Sequence, residues 1–259
     1  MGKSTKLSVL DLFAGIGGFT LGLHKTNLYE TKYFCEWDES CQKVLKKHWP
    51  EIPCFGDIKE LSKSNLSSDI DVITGGFPCQ DISLAGKGAG LEGARSSHWY
   101  HYLRLISEIK PKGVIIENVS ALRNRGLETV LQNLYEVGYD AEWHCITASY
   151  FGAPHERDRI WIIAYRRGLR GEGFKPLVNL SPFGQRGKSR QADLLNIYKY
   201  PFERSHSFPQ PLLCGMDVRV PRRMDRLKQV GNSVYHPIIT ELGKHLYKNI
   251  VGSSLTFQD

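Results

Sequence analysis

The sequence predicts an α/β domain built on a parallel sheet with helices on both faces. Three observations carry that prediction. Short apolar strands alternate with helical patterns as far as Arg167 in the 259-residue chain. The first strand runs directly into a glycine-rich turn, and acidic residues follow the ends of later strands. Hydrophobic residues make up 41% of the chain, enough for a real core, and none lie in a run of the ~20 that a membrane span needs.

The elements read as follows. Leu7–Phe13 is a compact apolar strand, and Tyr33–Cys35 is a second, followed by Glu36. Asp71–Ile73 runs into Gly75 and Gly76, and Gly113–Ile116 is followed by Glu117. Trp143–Ala148 and Ile160–Tyr165 are two more strands. Between them Cys41, Val44, Leu45 and His48 recur at helical spacing. So do Trp99, Tyr102, Leu103 and Ile106, and again Leu127, Val130, Leu131 and Leu134. After Arg167 the rhythm breaks into a stretch rich in Gly, Pro, Ser and basic residues. Ile238, Ile239, Leu242 and Leu246 then mark a closing helix. The expected organisation is a main domain at 1–167, a short irregular lobe at 168–221, and a segment at 222–259 that returns to the main domain.

Lys and Arg total 34 against 27 Asp and Glu, a net charge of +7. The excess suits a polyanionic partner, although charge alone fits a solvated basic surface equally well. The basic residues crowd toward the C-terminal part, among them Arg157, Arg159, Arg186, Lys188 and Arg190. The six cysteines form no C-x-x-C pair, which argues against a zinc ribbon or a thioredoxin-type motif. With no secretion signal evident, the thiols are expected to be reduced and the protein cytoplasmic.

Two strand ends draw attention. Asp11-Leu12-Phe13-Ala14-Gly15-Ile16-Gly17-Gly18-Phe19 lets backbone approach a ligand closely. Its G-x-G-G spacing disfavours a dinucleotide fingerprint, and the motif is not a P-loop. Glu36 stands where an acid holds a ribose, Trp37 beside it offers a ring to an adenine, and Asp57 lies near the end of a third short strand. The second place is Gly75-Gly76-Phe77-Pro78-Cys79-Gln80. By itself Cys79 is more often a small core residue. A parallel sheet, however, brings Glu117 to the same edge, and Arg159, just before another strand, is within reach of the same pocket. A nucleophile, an acid and a fixed cation around one cleft form a reaction centre. Residues 81–97 are glycine-rich, and their Ser83, Lys87, Arg95 and Ser97 suit phosphate contacts.

Together these motifs resemble the DNA cytosine-C5 methyltransferases of bacteria and phages. The likeness rests on Asp11–Phe19, Glu36-Trp37, Asp57-Ile58, Gly76–Gln80, Glu117-Asn118-Val119, Arg157–Arg159 and Gln229–Val234, in that order along the chain. It implies a Rossmann-like, doubly wound sheet with a small target-recognition lobe. The implied cofactor is S-adenosylmethionine, leaving S-adenosylhomocysteine, with no metal. Phe13, Ala14, Gly15, Gly17, Gly18, Glu36, Trp37, Asp57, Ile58, Pro78, Asn232, Ser233 and Val234 would surround that cofactor. Cys79, Glu117, Arg157 and Arg159 would form the catalytic set, with Cys79 adding to C6 of a flipped-out cytosine, Glu117 at N3 and the exocyclic amine, and Arg159 at O2. Double-stranded DNA is the implied partner, and a cognate restriction endonuclease is a further candidate. The chain is expected to act as a monomer, without membrane contact.

Two departures from the family pattern stand out. His155 replaces a usual Gln, and the stretch between Arg167 and Arg223 is short for a recognition region. Within it Gln185, Arg186, Lys188, Ser189 and Arg190 are the candidate groove contacts. Two alternatives keep the same fold: a tRNA cytosine-C5 methyltransferase, disfavoured by the lack of a Cys-Phe-Thr segment, and a DNA-binding homologue without catalysis.

Overall fold

A computed structural model describes residues 6–78, 98–153, 157–169, 177 and 233–252. Its centre is a seven-stranded sheet in the order β3-β2-β1-β4-β5-β7-β6. The strands are β1 (Leu7–Leu12), β2 (Tyr29–Cys35), β3 (Cys54–Phe55), β4 (Val72–Gly75), β5 (Gly113–Val119), β6 (Tyr139–Thr147) and β7 (Asp158–Arg166). The helices are α1 (Gly18–His24), α2 (Glu39–His48), α3 (His98–Ile109), α4 (Leu122–Arg125), α5 (Leu127–Glu136) and α6 (His236–Val251).

The side chains of the central strands alternate between two apolar layers. Leu10, Leu12, Ile73, Val114 and Ile116 pack with Trp99, Tyr102 and Ile106 of α3 and with Val130 and Leu134 of α5. Val9, Val72, Ile115, Trp161 and Ile163 face the other way, onto Phe19 and Leu23 of α1 and Ile238, Ile239, Leu242 and Leu246 of α6. This alternation, with both faces apolar, is what a doubly covered sheet requires. In α3 the periodicity is shifted slightly from expectation: Leu105 is fully buried and Leu103 only partly.

The expectation of a parallel sheet holds from β3 to β5 and fails at β7. That strand lies antiparallel between β5 and β6. The reason is the short connection from β6 to β7, which contains a 3-10 turn at Ala148–Phe151 and no crossover helix among its described residues. A parallel return needs a crossover of a dozen or more residues, whereas a hairpin does not. The second strand also starts earlier than expected, at Tyr29. The β1–β2 register slips between Val9 and Leu10, where Val9 pairs with Thr31 and Leu10 with Tyr33, leaving Lys32 unmatched. That bulge moves Tyr33 and Cys35 to the opposite layer from Tyr29 and breaks the alternation that marks a strand.

The close approach of α1 to α6 depends on glycine. A Cβ at Gly22 would stand 2.5 Å from Ile239 Cβ, and one at Gly243 would stand 2.6 Å from a Leu23 methyl. Across this contact Thr240 Oγ1 donates to the Gly22 carbonyl, and the Tyr29 hydroxyl donates to the Gly243 carbonyl at 2.6 Å. No helix among the described residues is long and apolar enough to cross a membrane.

One carboxylate lies inside this layer. Asp11 is fully buried, accepting from Thr20 Oγ1 of α1 at 2.8 Å and from Thr74 Oγ1 of β4 at 3.0 Å, while Thr20 also meets Thr31 of β2. Burial outweighs those hydrogen bonds and pushes its carboxyl up to about 7. The unfolded chain ionises near 3.8, so the stability Asp11 contributes is fully present below that pH and is lost as pH rises toward 7. Asp11→Asn does not titrate, and its amide can still serve both threonines. Urea unfolding across this range should therefore show the variant gaining on the wild type by on the order of a few kcal/mol between pH 4 and 7, then running parallel. Profiles that stay parallel throughout would refute the assignment.

Candidate active site

The glycine turn after β1 has the geometry of a cradle. Phe13, Gly15 and Gly17 all have positive φ, at 51°, 56° and 86°. Gly17 needs it for a second reason, since a Cβ there would lie 2.4 Å from the Trp49 ring. A Cβ on Gly15 would project into open space above the turn. The turn is tied to the end of β2 by Glu36. Its Oε2 accepts from the Gly15 amide at 2.7 Å, and its Oε1 accepts from the Asp38 amide at 2.8 Å. Each oxygen retains a lone pair for a hydroxyl donor. Trp37 beside it is 75% exposed, an indole with a free face. Asp57 follows β3 and accepts from the Lys59 amide through Oδ1, while Ile58 is buried in the core.

The far end of the chain meets the same turn. A Cβ at Gly18 would stand 2.7 Å from a Val234 methyl and 3.2 Å from Ser233 Oγ. Thus Ser233 and Val234, expected at this site from the likeness alone, pack on the first turn of α1, held there by α6. Asn232 lies outside the described residues.

The second centre is at the carboxyl end of β5. Glu117 is only 8% exposed and has the same parity as Ile115, so it stands on the α1 and α6 side of the sheet. Three neighbours define its surroundings. Gly76 lies beneath it, where a Cβ would be 2.9 Å from Oε2. Arg159 Nε lies 2.8 Å from Oε1. That pair is diagonal across the β5–β7 ladder, with Val119 opposite Arg159 and Trp161 opposite Glu117. Arg157 contributes a third charge, at the entry to β7. Burial raises the Glu117 carboxyl above its usual range, and the two arginines pull it back only in part. The next residue, Asn118, points to the other layer and donates to the Phe77 carbonyl at 3.0 Å. Two successive residues of β5 thereby hold the Gly76–Pro78 segment, one from each side.

Of the sequence-predicted residues, the structure brings Glu117, Arg157, Arg159 and the Gly76–Pro78 segment together, with Pro78 exposed and Phe77 buried. Arg159 is the second residue of β7, not the residue before it, which is why its register with Glu117 is fixed. Phe13, Ala14, Gly15, Gly17, Gly18, Glu36 and Trp37 gather at the carboxyl ends of β1 and β2. Cys79, His155, Ser83, Lys87, Arg95, Arg186, Lys188 and Arg190 lie outside the described residues. Two positions escaped the sequence reading. Asn118 was visible only as part of a motif. His98 packs edge-on to the Phe13 ring at 5.7 Å, a contact between distant segments that leaves no local signal. Burial pushes the Cys35 thiol up to about 12, which makes it a poor nucleophile.

A family model for C-5 cytosine-specific DNA methylases matches residues 7–208. The chain belongs to that family. It is 36% identical over 185 residues to the type II methyltransferase M1.ScrFI of Lactococcus lactis subsp. cremoris, covering 70% of this chain and 45% of that protein. It is 36% identical over 175 residues to M.HhaI of Haemophilus parahaemolyticus, covering 66% and 53%. The chain thus spans about half the length of these relatives. Among solved structures, a putative DNA modification methyltransferase from an Escherichia coli prophage superposes with a TM-score of 0.53 at 26% identity, over 63% of this chain and 48% of that one. The Dnmt2 methyltransferase of S. pombe matches in fold alone, with a TM-score of 0.65 at 15% identity over 94% and 99%.

The contact between Gly76 and Glu117 is directly testable. Gly76→Ala places a methyl group against the carboxylate and must shift it or the segment leading to Cys79. Turnover should fall on the order of tenfold or more, as small misplacements of reacting groups do, with the circular dichroism spectrum and cofactor affinity retained. An unchanged kcat would show that the carboxylate is not positioned by this approach.

Proposed function

We propose that this protein transfers a methyl group from S-adenosylmethionine to C5 of a cytosine flipped out of double-stranded DNA. The observation that carries the reading is the buried Glu117, held between Gly76 and Arg159 at the sheet edge, in a chain of this family. The residues at the other centre fit the cofactor. The open space over Gly15 accepts a ligand backbone, Glu36 has lone pairs for ribose hydroxyls, and the exposed Trp37 ring suits an adenine face. When bound there, S-adenosylmethionine supplies an electrophilic methyl group. Asp57, Ile58, Pro78, Asn232, Ser233 and Val234 would complete its surroundings.

Cytosine C5 is a weak nucleophile, and the protein side chains are what change that. The Cys79 thiolate adds to C6, and the electron pair of the C5–C6 bond moves toward C5 and the ring carbonyl. Glu117, whose carboxyl burial raises above its usual range, donates its proton to N3 as negative charge builds there and accepts from the exocyclic amine. Arg159 binds O2 and, through its Nε contact, orients Glu117, while Arg157 adds positive charge to the pocket. Once C5 carries the methyl group, a base removes the C5 proton and the Cys79–C6 bond breaks, returning the thiolate. Stacked DNA buries C6 from attack, so the base must leave the helix first, at a cost of a few kcal/mol. Residues 81–97, with Ser83, Lys87 and Arg95, are proposed to close over the extruded nucleotide. Arg186, Lys188 and Arg190 are proposed to follow the duplex. A restriction-modification or phage role, in the cytoplasm, is the setting the type II relatives suggest.

Two experiments test this chemistry. Cys79→Ser should lower methyl transfer to duplex DNA to below about one-thousandth of wild type while leaving S-adenosylhomocysteine affinity within about twofold. Duplex DNA with 5-fluorocytosine at the methylated position should form a covalent adduct stable to denaturing electrophoresis, because fluorine cannot leave as a proton does. Methyl incorporation into tRNA but not into duplex DNA would sink the substrate assignment, and turnover by Cys79→Ser would sink the nucleophile.

A further inference from the structure

Beyond β5 the chain carries a pair of cations that neither the fold nor the chemistry above accounts for. Val119 ends the strand opposite Arg159, and the exposed Ser120 leads into α4. Leu122 is fully buried and joins the layer formed by Leu127 and Val130. The turn is closed by backbone bonds from Arg123 to Ser120, Asn124 to Ala121 and Gly126 to Leu122, all at 3.1 or 3.2 Å. One side chain is thus sunk into the core as an anchor, and the three that follow, Arg123, Asn124 and Arg125, are turned outward and exposed. The guanidinium groups are carried on a fixed piece of backbone and not on a loose loop.

Like most lysines and arginines among the described residues, Arg123 and Arg125 have no carboxylate partner. Lys32, Arg104, Lys112, Arg159 and Lys244 each have a carboxylate within 2.9 Å. The nearest recorded polar contact is Arg123 Nε to the neighbouring Asn124 amide oxygen, at 3.4 Å. Two positions apart on the turn, the arginines flank it from different sides and do not face each other. The pair adds little to the fold. It does stand at the carboxyl edge of β5, one short turn past Glu117.

We infer that Arg123 and Arg125 form a phosphate clamp for the DNA strand that carries the target base. The inference rests on the DNA reading above. Guanidinium groups match phosphate oxygens in a fork geometry, and a rigid turn loses little entropy when it binds them. Such contacts position the duplex and carry no sequence information, so they would serve any recognition sequence that the lobe at 168–221 reads.

The test compares wild type, R123A/R125A and the charge-keeping R123K/R125K. Each is measured for binding to a mixed-sequence duplex, with S-adenosylhomocysteine present, over a range of salt. The alanine pair should weaken binding on the order of tenfold and flatten the slope of log K against log salt by about 2, one for each lost phosphate contact. Its S-adenosylhomocysteine affinity, and its kcat at saturating DNA, should stay at wild-type values. The lysine pair should keep the wild-type slope. Wild-type binding with unchanged affinity and slope in the alanine pair overturns the clamp alone. A joint loss of DNA and S-adenosylhomocysteine binding overturns it too, because the arginines would then be structural. A wild type that holds tRNA but no duplex DNA overturns the clamp together with the proposed substrate.

Discussion

The register of β5 is the constraint on which the rest of this site depends. The strand is parallel to β4 on one side and antiparallel to β7 on the other. Its parallel neighbour places Gly76 against Glu117, and its antiparallel neighbour places Arg159 there. A slip of one residue on either side would exchange the two apolar layers as well as the polar groups, so the packing of Ile115, Trp161 and Ile163 enforces the arrangement of the site. Burial at the sheet edge raises this acid above its usual range, and the two arginines beside it pull it back in part.

The proposed cofactor side is fixed by a different means, which is the absence of side chains. Gly18, Gly22 and Gly243 let α6 approach α1 more closely than any Cβ would allow. The chain's last described helix therefore reaches the turn after its first strand, and Ser233 and Val234 come with it. Because α1 starts at the glycine turn and Glu36 ties that turn to β2, a shift of α6 would be felt on both sides of that turn. Asp11 lies between these parts, bonded to α1 and β4, with Thr20 passing the network on to β2. A polar centre so placed favours one arrangement of three elements over near alternatives, at the expense of some stability once it ionises.

Much of this was legible in the sequence because the signals are local. Strand ends are marked by the residues that follow them, and Glu36, Gly76 and Glu117 each stand where an apolar run stops. Ile238, Ile239, Leu242 and Leu246 announce α6 by spacing alone, and all four are buried. What was not legible depends on pairing. The antiparallel β7 follows from a missing crossover helix, a signal that was present but weaker than the general alternation. The first half of β2 was hidden by the bulge at Lys32, which breaks the period a strand is recognised by. Asp11 reads as part of a glycine motif, and only the threonines of three other elements reveal it as a buried acid. The contact of His98 with Phe13 and the outward turn of Arg123 and Arg125 depend on how α3 and α4 pack, about which residue type says nothing.

The carboxyl end of β5 also explains why charge is distributed as it is. A net charge of +7 spread evenly would attract any polyanion without orienting it. Near the reaction centre the cations divide by depth. Arg159 is mostly shielded and spends its charge on Glu117, where the low dielectric strengthens the interaction. Arg123 and Arg125 are exposed, and a cation in water interacts weakly until an anion displaces solvent and counterions. On the proposed reading, buried cations of the first kind tune a proton and report on chemistry, whereas exposed cations of the second kind position a duplex and report on salt. A strand that ends in an anchored turn presents both within a few residues. Chemistry and positioning are therefore separable by experiment even though they are adjacent in the chain.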